Sequence, residues 1–247
     1  MFRPGFFGKV QRTSVLEHYG LRTLLYGTLL PGPDIGKECA GTMRQVRDAG
    51  FEVGIHCWDH VRWQDGVAQA GAGWTSRELE LAFDRFEEVF GGPAQVHGAA
   101  GWQVNRHALK FLDQSGIAYA SDTRGTAPFL PAWEGERFSC PQLPTTLPTL
   151  DEVLGLPGVD VLSSLLEKTE SKSAHVYTAH AELEGGKLAG TFERLLEGWK
   201  RQGYEVCDLK SLCNEIEIRR LPVHEIQYGE VPGRSGTLAL QGKELRA

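Results

Sequence analysis

Short apolar runs alternate with amphipathic helical stretches along most of this 247-residue chain. That alternation limits its fold more than any other feature. LRTLLYGTL (from Leu21), FEVGIH (from Phe51), QVHGAAGW, IAYASD, HVYTAH and YEVCDL read as strands, YEVCDL being the last clear one. Between them lie ECAGTMRQVRDAG, closed by Gly50, then VNRHALKFLDQSG and GTFERLLEGWKRQG, all with helical character. TSRELELAFDRFEEVFGG carries Leu79, Phe83, Phe86 and Phe90 at helical spacing. Thr75 and Glu78 have capping-box spacing there, and Gly91 is the expected stop. Strands separated by helices build parallel βα units, in a barrel or an open sheet. The proline-rich stretch 126–148 is expected to be a long loop over one end of the fold. No repeat or low-complexity block divides the chain, so residues 1–247 are expected to form one domain.

Bulk properties exclude several functions. The chain is 41% hydrophobic and 23% charged, as in soluble globular proteins. A net charge of −6 offers no basic field for nucleic acid. The 11 Phe and 6 Trp are scattered, with no basic-aromatic ladder of the kind that tracks single strands. Five cysteines without a C-x-x-C pair suit reduced thiols in a cytoplasmic compartment rather than a disulfide framework. No run approaches the roughly 18 apolar residues that span a bilayer. The start, MFRPGFFGKVQRT, lacks the continuous apolar region of a signal peptide. Phe2, Phe6 and Phe7 alternate there with Arg3, Lys9 and Arg12. Residues 1–13 are either a membrane-contacting arm, rings at headgroup depth and cations on anionic lipid, or an arm packing its Phe residues onto the domain.

Candidate chemistry centres on GIHCWDHVRWQ, where His56 and His60 are four residues apart. Neutral imidazole is a common ligand for zinc and similar metals, and one helical turn presents both rings to one ion. H-x-x-x-H lacks the Glu of H-E-x-x-H, and two neighbouring histidines also arise without a metal. As two points of a three-point site the pair is sound, since catalytic zinc usually takes three protein ligands and a water. His56, Asp122 and His180 each end an expected strand. In βα-barrels the strand C-termini build the active site, although a strand-end His or Asp is often only a loop cap. His97, His107, His175 and His224 have no such company and are expected at the surface or as satisfied structural residues.

The order of motifs is more specific. G-I-H-C-W-D-H-V-R-W-Q, A-A-G-W, S-D-T-R-G, L-P-T-T-L-P-T-L-D-E-V, V-Y-T-A-H-A-E and V-P-G-R-S-G follow one another along the chain. This series resembles the 4-deoxy-4-formamido-L-arabinose-phosphoundecaprenol deformylases, a branch of the polysaccharide deacetylases, from Arg3 to near Gln241. The resemblance implies a distorted (β/α) barrel. It also implies a divalent metal, zinc or a similar transition metal, on His56 and His60. His180 would be the general acid, and Asp122 the aspartate that keeps it oriented and charged. General deacetylases carry an arginine in the motif where this chain has Ala99, Ala100, Gly101 and Trp102, so no arginine role carries over. Trp102 is then at best a wall of the substrate pocket, and Arg124, in S-D-T-R-G, is taken as a substrate contact. The implied substrate is a formylated aminoarabinose on undecaprenyl phosphate, at the cytoplasmic face of the bacterial inner membrane. The implied product amine goes on to lipid A, where its charge weakens polymyxin binding.

One departure matters. The family opens with a strand bearing two aspartates in a D-x-D arrangement, one a metal ligand and the other the catalytic base. This chain has no such pair near Met1, and Asp34 in PGPDIG is in the wrong context. Third ligand, base and first barrel strand are therefore expected to lie before Met1, through a misassigned start in preference to a real loss. Asp59 and Cys57 share a tight turn with the histidines and are expected to point elsewhere. A metal-dependent deformylase is the leading expectation. A deacetylase of another N-acylated sugar and a non-catalytic binder of lipid-linked sugar are the alternatives.

Overall fold

The computed structural model describes residues 32–245 except 155 and 172. The expected arm over 1–13 and the strand from Leu21 lie outside the described residues. Short helices α1 (Ile35–Glu38) and α2 (Ala40–Asp48) lead in, and the chain leaves α2 through Gly50 at φ 91°. Next come α3 (His60–Gly66), α4 (Ala72–Phe90) and α5 (Arg106–Gln114). Helix α4 ends at Gly91, φ 75°, as its sequence predicts. It begins earlier than predicted, with Gly71 as its N-cap, so Thr75 lies inside the helix and caps nothing. The Thr75 hydroxyl instead accepts from Asn105 Nδ2 at 2.9 Å. Asn105 in turn caps α5, accepting from the Ala108 N–H at 2.9 Å. Leu79 of α4 and Leu109 of α5 share one core cluster with Trp63, Val67 and Phe129. Burying each such side chain stabilises the fold by about 1.5–3 kcal/mol.

The parallel βα order is present, with very short ladders. Strand β1 (Val96–His97) pairs in parallel with β2 (Tyr119–Ala120). Single parallel bridges extend the series on both sides, Ile55 to His97 and Ala120 to Gln142. Four chain segments thus run side by side, with their C-terminal ends at one edge. Gly54 permits the first approach, because a Cβ there would stand 2.9 Å from the Val96 carbonyl oxygen.

Three strand expectations need correction. The 175–180 stretch is not a ladder strand: both Thr146 N–H and Leu147 N–H converge on the Val176 carbonyl, at 3.0 and 3.2 Å. The Val176 N–H turns to the Thr146 hydroxyl at 2.8 Å, so a side chain occupies the place a backbone acceptor would take. YEVCDL has no ladder partner among the described residues, and Val206 is 53% exposed. The 126–148 stretch is no mere loop, since it holds a hairpin of β3 (Leu130–Trp133) and β4 (Glu136–Arg137). Helices α6 (Leu150–Leu154), α7 (Val161–Lys168), α8 (Ala189–Arg201) and α9 (Leu209–Asn214) follow. A C-terminal hairpin of β5 (Val223–Glu230) and β6 (Thr237–Glu244), which the sequence reading missed, completes a sheet ordered β4-β3-β5-β6. Arg124 bridges in parallel to both Thr145 and Leu240, tying that sheet to the barrel-type series. Among the described residues no helix is long and apolar enough to cross a membrane.

Candidate active site

Ile55 is fixed on both sides, its N–H donating to the Val96 carbonyl at 3.1 Å and its carbonyl accepting from the Gly98 N–H at 2.9 Å. The next residue, His56, therefore stands at a defined point on the edge where the segments end. Its Nδ1 lies 2.7 Å from the Gly98 carbonyl oxygen. A carbonyl only accepts, so Nδ1 carries the hydrogen and the Nε2 lone pair is left for a ligand. Cys57 follows at φ 63°, a strained conformation for a residue with a Cβ, and turns the chain into α3. Asp59 caps that helix by accepting from the Arg62 N–H at 2.9 Å, which makes His60 its first residue. The two imidazole centroids are 5.1 Å apart with planes inclined at 57°.

Both rings are held in the neutral form that binds metals. Desolvation, followed by the charge of neighbouring His56 and His180, lowers His60 to about 4. His56 is lowered as well, by desolvation first, against the Gly98 hydrogen bond. Two neutral imidazoles close together, one with its tautomer fixed, are a donor set that fits a divalent cation. Among the described residues no three His, Cys, Asp or Glu gather as a metal site. Cys57 packs against the core and accepts from the Ala100 N–H at 3.4 Å, and Asp59 caps its helix. Asp34 is paired with Arg85 and caps α1.

Asp122 departs from its expected role. It is fully buried, and its Oδ1 accepts from His97 Nδ1 at 2.7 Å and from the Ala99 N–H at 2.8 Å, while Gln142 Nε2 donates to Oδ2 at 3.2 Å. Its partner is thus His97, not His180. Burial alone would lower His97, but the charge and hydrogen bond of Asp122 reverse this and raise it to about 10. His97, expected at the surface or as a satisfied structural residue, is the latter: it is buried against Asp122, whose charge favours its protonated form. Asp122 still bears on the site, because the 97–99 segment that it ties down includes the carbonyl that orients His56.

These opposite shifts set a pH dependence for the metal-free protein. His60 titrates below its ordinary value of 6.5, so the unfolded chain takes the proton first. Stability is therefore expected to fall as pH drops from 6.5 to about 4. His97 works the other way: its contribution is complete below 6.5 and is lost as pH rises through about 10. Urea midpoints measured across pH check this. His60→Gln should flatten the acid limb alone, and an unchanged acid limb in that variant would refute the assignment.

His180 opens a helical turn, its carbonyl accepting from the Leu183 and Glu184 N–H groups at 2.8 and 2.9 Å. His180 lies within electrostatic reach of both rings, and its charge contributes to lowering His56 and His60. The carboxylate beside His180 is Asp151 at the start of α6, with Oδ1 3.7 Å from Nδ1. Its signal in the sequence was the D-E pair following P-T-L. Arg124, expected to touch substrate, is 8% exposed and spends its guanidinium on Glu152 at 2.5 Å and the Leu147 carbonyl at 2.9 Å. Trp102 is likewise no open pocket wall: it is buried, and its Nε1–H donates to Thr145 Oγ1 at 3.0 Å. The guanidinium carbons of Arg124 and Arg234 lie 4.8 and 4.9 Å from its ring.

This arrangement has known counterparts. The chain is 33% identical over 248 residues to the "Probable 4-deoxy-4-formamido-L-arabinose-phosphoundecaprenol deformylase ArnD" of Shewanella sediminis (strain HAW-EB3), an alignment covering 99% of this chain and 80% of that one. It is 30% identical over 250 residues to the protein of the same name from Wigglesworthia glossinidia brevipalpis, covering 100% of this chain and 87% of the other. No protein-family model matches. Among solved structures, a Mycobacterium smegmatis protein assigned to the polysaccharide deacetylases superposes with a TM-score of 0.60 at 18% identity, over 92% of this chain and 83% of that one. The fold is thus the α/β fold of the polysaccharide deacetylases, and the chain belongs to the 4-deoxy-4-formamido-L-arabinose-phosphoundecaprenol deformylase family.

Proposed function

We propose that the chain hydrolyses the formamide of 4-deoxy-4-formamido-L-arabinose carried on undecaprenyl phosphate, giving formate and the free amine. The observation that carries this reading is the His56/His60 ring pair, centroids 5.1 Å apart where the Ile55 segment of the parallel series ends, in a chain of this family. A divalent cation such as zinc would be held by Nε2 of His56 and by His60, and would polarise the formyl carbonyl and acidify water. The bond that breaks is the amide C–N, and the nitrogen needs a proton to leave as an amine. His180 has Nδ1 turned to Asp151, so Nε2 is the atom that delivers that proton. Water supplies the oxygen that converts the formyl carbon to formate, and of the two protons it sheds one restores His180 and the other leaves to solvent. Asp151 takes the orienting role that the motif series gave to Asp122.

The same reading extends to setting. The protein works peripherally at the cytoplasmic face of the inner membrane. The amine it exposes is destined for lipid A and for resistance to polymyxin. The test is formate release from the lipid-linked formamido sugar, beside acetate release from an N-acetylated sugar. Chelation is expected to abolish formate release and added zinc to restore it. His56→Ala and His60→Ala are each expected to weaken metal binding by at least about 100-fold, measured by competition with a chromophoric chelator. Acetate without formate would reject the substrate, and unchanged metal affinity in both variants would reject the ligands.

A further inference from the structure

The carboxylate beside His180 has a second partner that neither the motif series nor the family assignment anticipates. Arg234 sits in the tight turn V-P-G-R-S-G between β5 and β6, its N–H donating to the Val231 carbonyl at 3.0 Å. The turn is pressed against α6. Gly233 has φ +83°, and a Cβ there would collide with the carbonyl oxygen of Glu152, so only glycine lets the turn come this close. Arg234 is thereby aimed at both acids of the D-E pair. Its Nε donates to Glu152 Oε1 at 2.8 Å, and a terminal nitrogen stands 3.3 Å from Asp151 Oδ2. The other Asp151 oxygen, Oδ1, accepts from Thr149 Oγ1 at 2.6 Å and faces His180 Nδ1 at 3.7 Å.

The two acids divide the work. Glu152 is 1% exposed and receives both Arg124 and Arg234, which stand against the ring of Trp102. That buried group is the rigid base. Asp151, 34% exposed at its side chain, is the member that reaches the site. Two guanidinium groups against two carboxylates balance in charge, so the cluster is not built to receive a phosphate. A planar guanidinium can fix two carboxylates at once, which an ammonium cannot do with the same geometry.

We infer that Arg234 is a positioning residue for the proton-donating histidine: anchored on Glu152 and Trp102, it holds one Asp151 oxygen so that the other stays facing His180 Nδ1. The inference rests on the reading of His180 as the acid in formamide hydrolysis. It supplies from the C-terminal hairpin an arginine that the A-A-G-W motif lacks, but directed to the acid histidine.

The test is steady-state formate release by the zinc-loaded full chain and three variants, Arg234→Ala, Arg234→Lys and Asp151→Asn, with the double variant Arg234→Ala/Asp151→Asn. Arg234→Ala is expected to lower kcat about 10- to 100-fold with KM held within about twofold, the pattern of an interaction used in the transition state. Arg234→Lys keeps the charge beside Glu152 and should fold normally, yet recover only part of the rate. In the Asp151→Asn background the Arg234→Ala change should cost less than about twofold more, because both act through the same carboxylate. Fully additive losses would mean that Arg234 merely supports the fold through Glu152, and would overturn the inference. So would a wild-type kcat in Arg234→Ala. Absence of formate release by the unaltered chain would instead reject the proposed reaction, and this inference with it.

Discussion

Replacing His180 with glutamine is expected to leave the protein folded and metal-binding while lowering kcat for formate release by about 10²- to 10⁴-fold, the usual share of a positioned acid. The fold should tolerate the change because the His180 side chain is 30% exposed and makes its local hydrogen bonds through the backbone. Glutamine keeps similar bulk and polarity but cannot carry a transferable proton. An amine leaving from a formamide is a poor leaving group unless protonated, so the loss should fall on kcat and spare KM. Asp151→Asn should cost less, because the neutral amide removes charge stabilisation but leaves the imidazole in place. Kinetics with metal content measured on the same samples separates this from a metal effect. A His180→Gln enzyme within about threefold of the unaltered one would remove His180 from the reaction.

What the sequence made legible, and what it hid, follows from the range of the forces involved. The His56/His60 pair was readable because it is close in sequence, although a left-handed turn at Cys57 and not a helical turn brings the rings together, and the order of βα segments because apolar periodicity is local. The positions of Gly50 and Gly91 at helix ends were readable for the same reason. The partner of a carboxylate is not a local property. Asp122 meets His97 across 25 residues, and Asp151 meets His180 across a helix and a loop, through pairings as short as one bridge. Two aspartates at similar edges could each have served His180, and only the three-dimensional register separates them. His97 was passed over because a lone histidine inside an apolar run gives no hint of a buried acid beside it. The C-terminal hairpin hid for another reason. V-H-E-I-Q-Y-G-E mixes charge into its alternation, and most of its side chains are only half-buried, which blunts the period-two signal. Pro131 likewise made 126–148 read as loop, although it occupies a strand position whose carbonyl, not its missing N–H, is used, accepting from the Phe138 N–H at 2.9 Å.

Asp122→Ala is expected to be the most destabilising single change at the site, by about 3–5 kcal/mol, because it leaves the buried His97 without its counter-charge. Two further groups would lose an acceptor: the Ala99 N–H and Gln142 Nε2. Breaking one side of such a pair costs more than the pair contributes, since the remaining group must shed its proton or stay charged in an apolar interior. Asp122→Asn keeps the shape and an acceptor for the Ala99 N–H, so its loss should be smaller. Metal affinity should fall together with stability, by about 10- to 100-fold in Asp122→Asn, because the segment it releases carries the Gly98 carbonyl that orients His56. Denaturant unfolding of the metal-free protein gives the first quantity and chelator competition the second. Adding His97→Gln to Asp122→Asn removes both charges and should recover part of the stability but not the metal affinity, as neutralising the pair does not restore the position of Gly98. If Asp122→Ala cost less than about 1 kcal/mol, His97 would not be held as a buried cation and the alkaline limb of the stability profile would vanish with it.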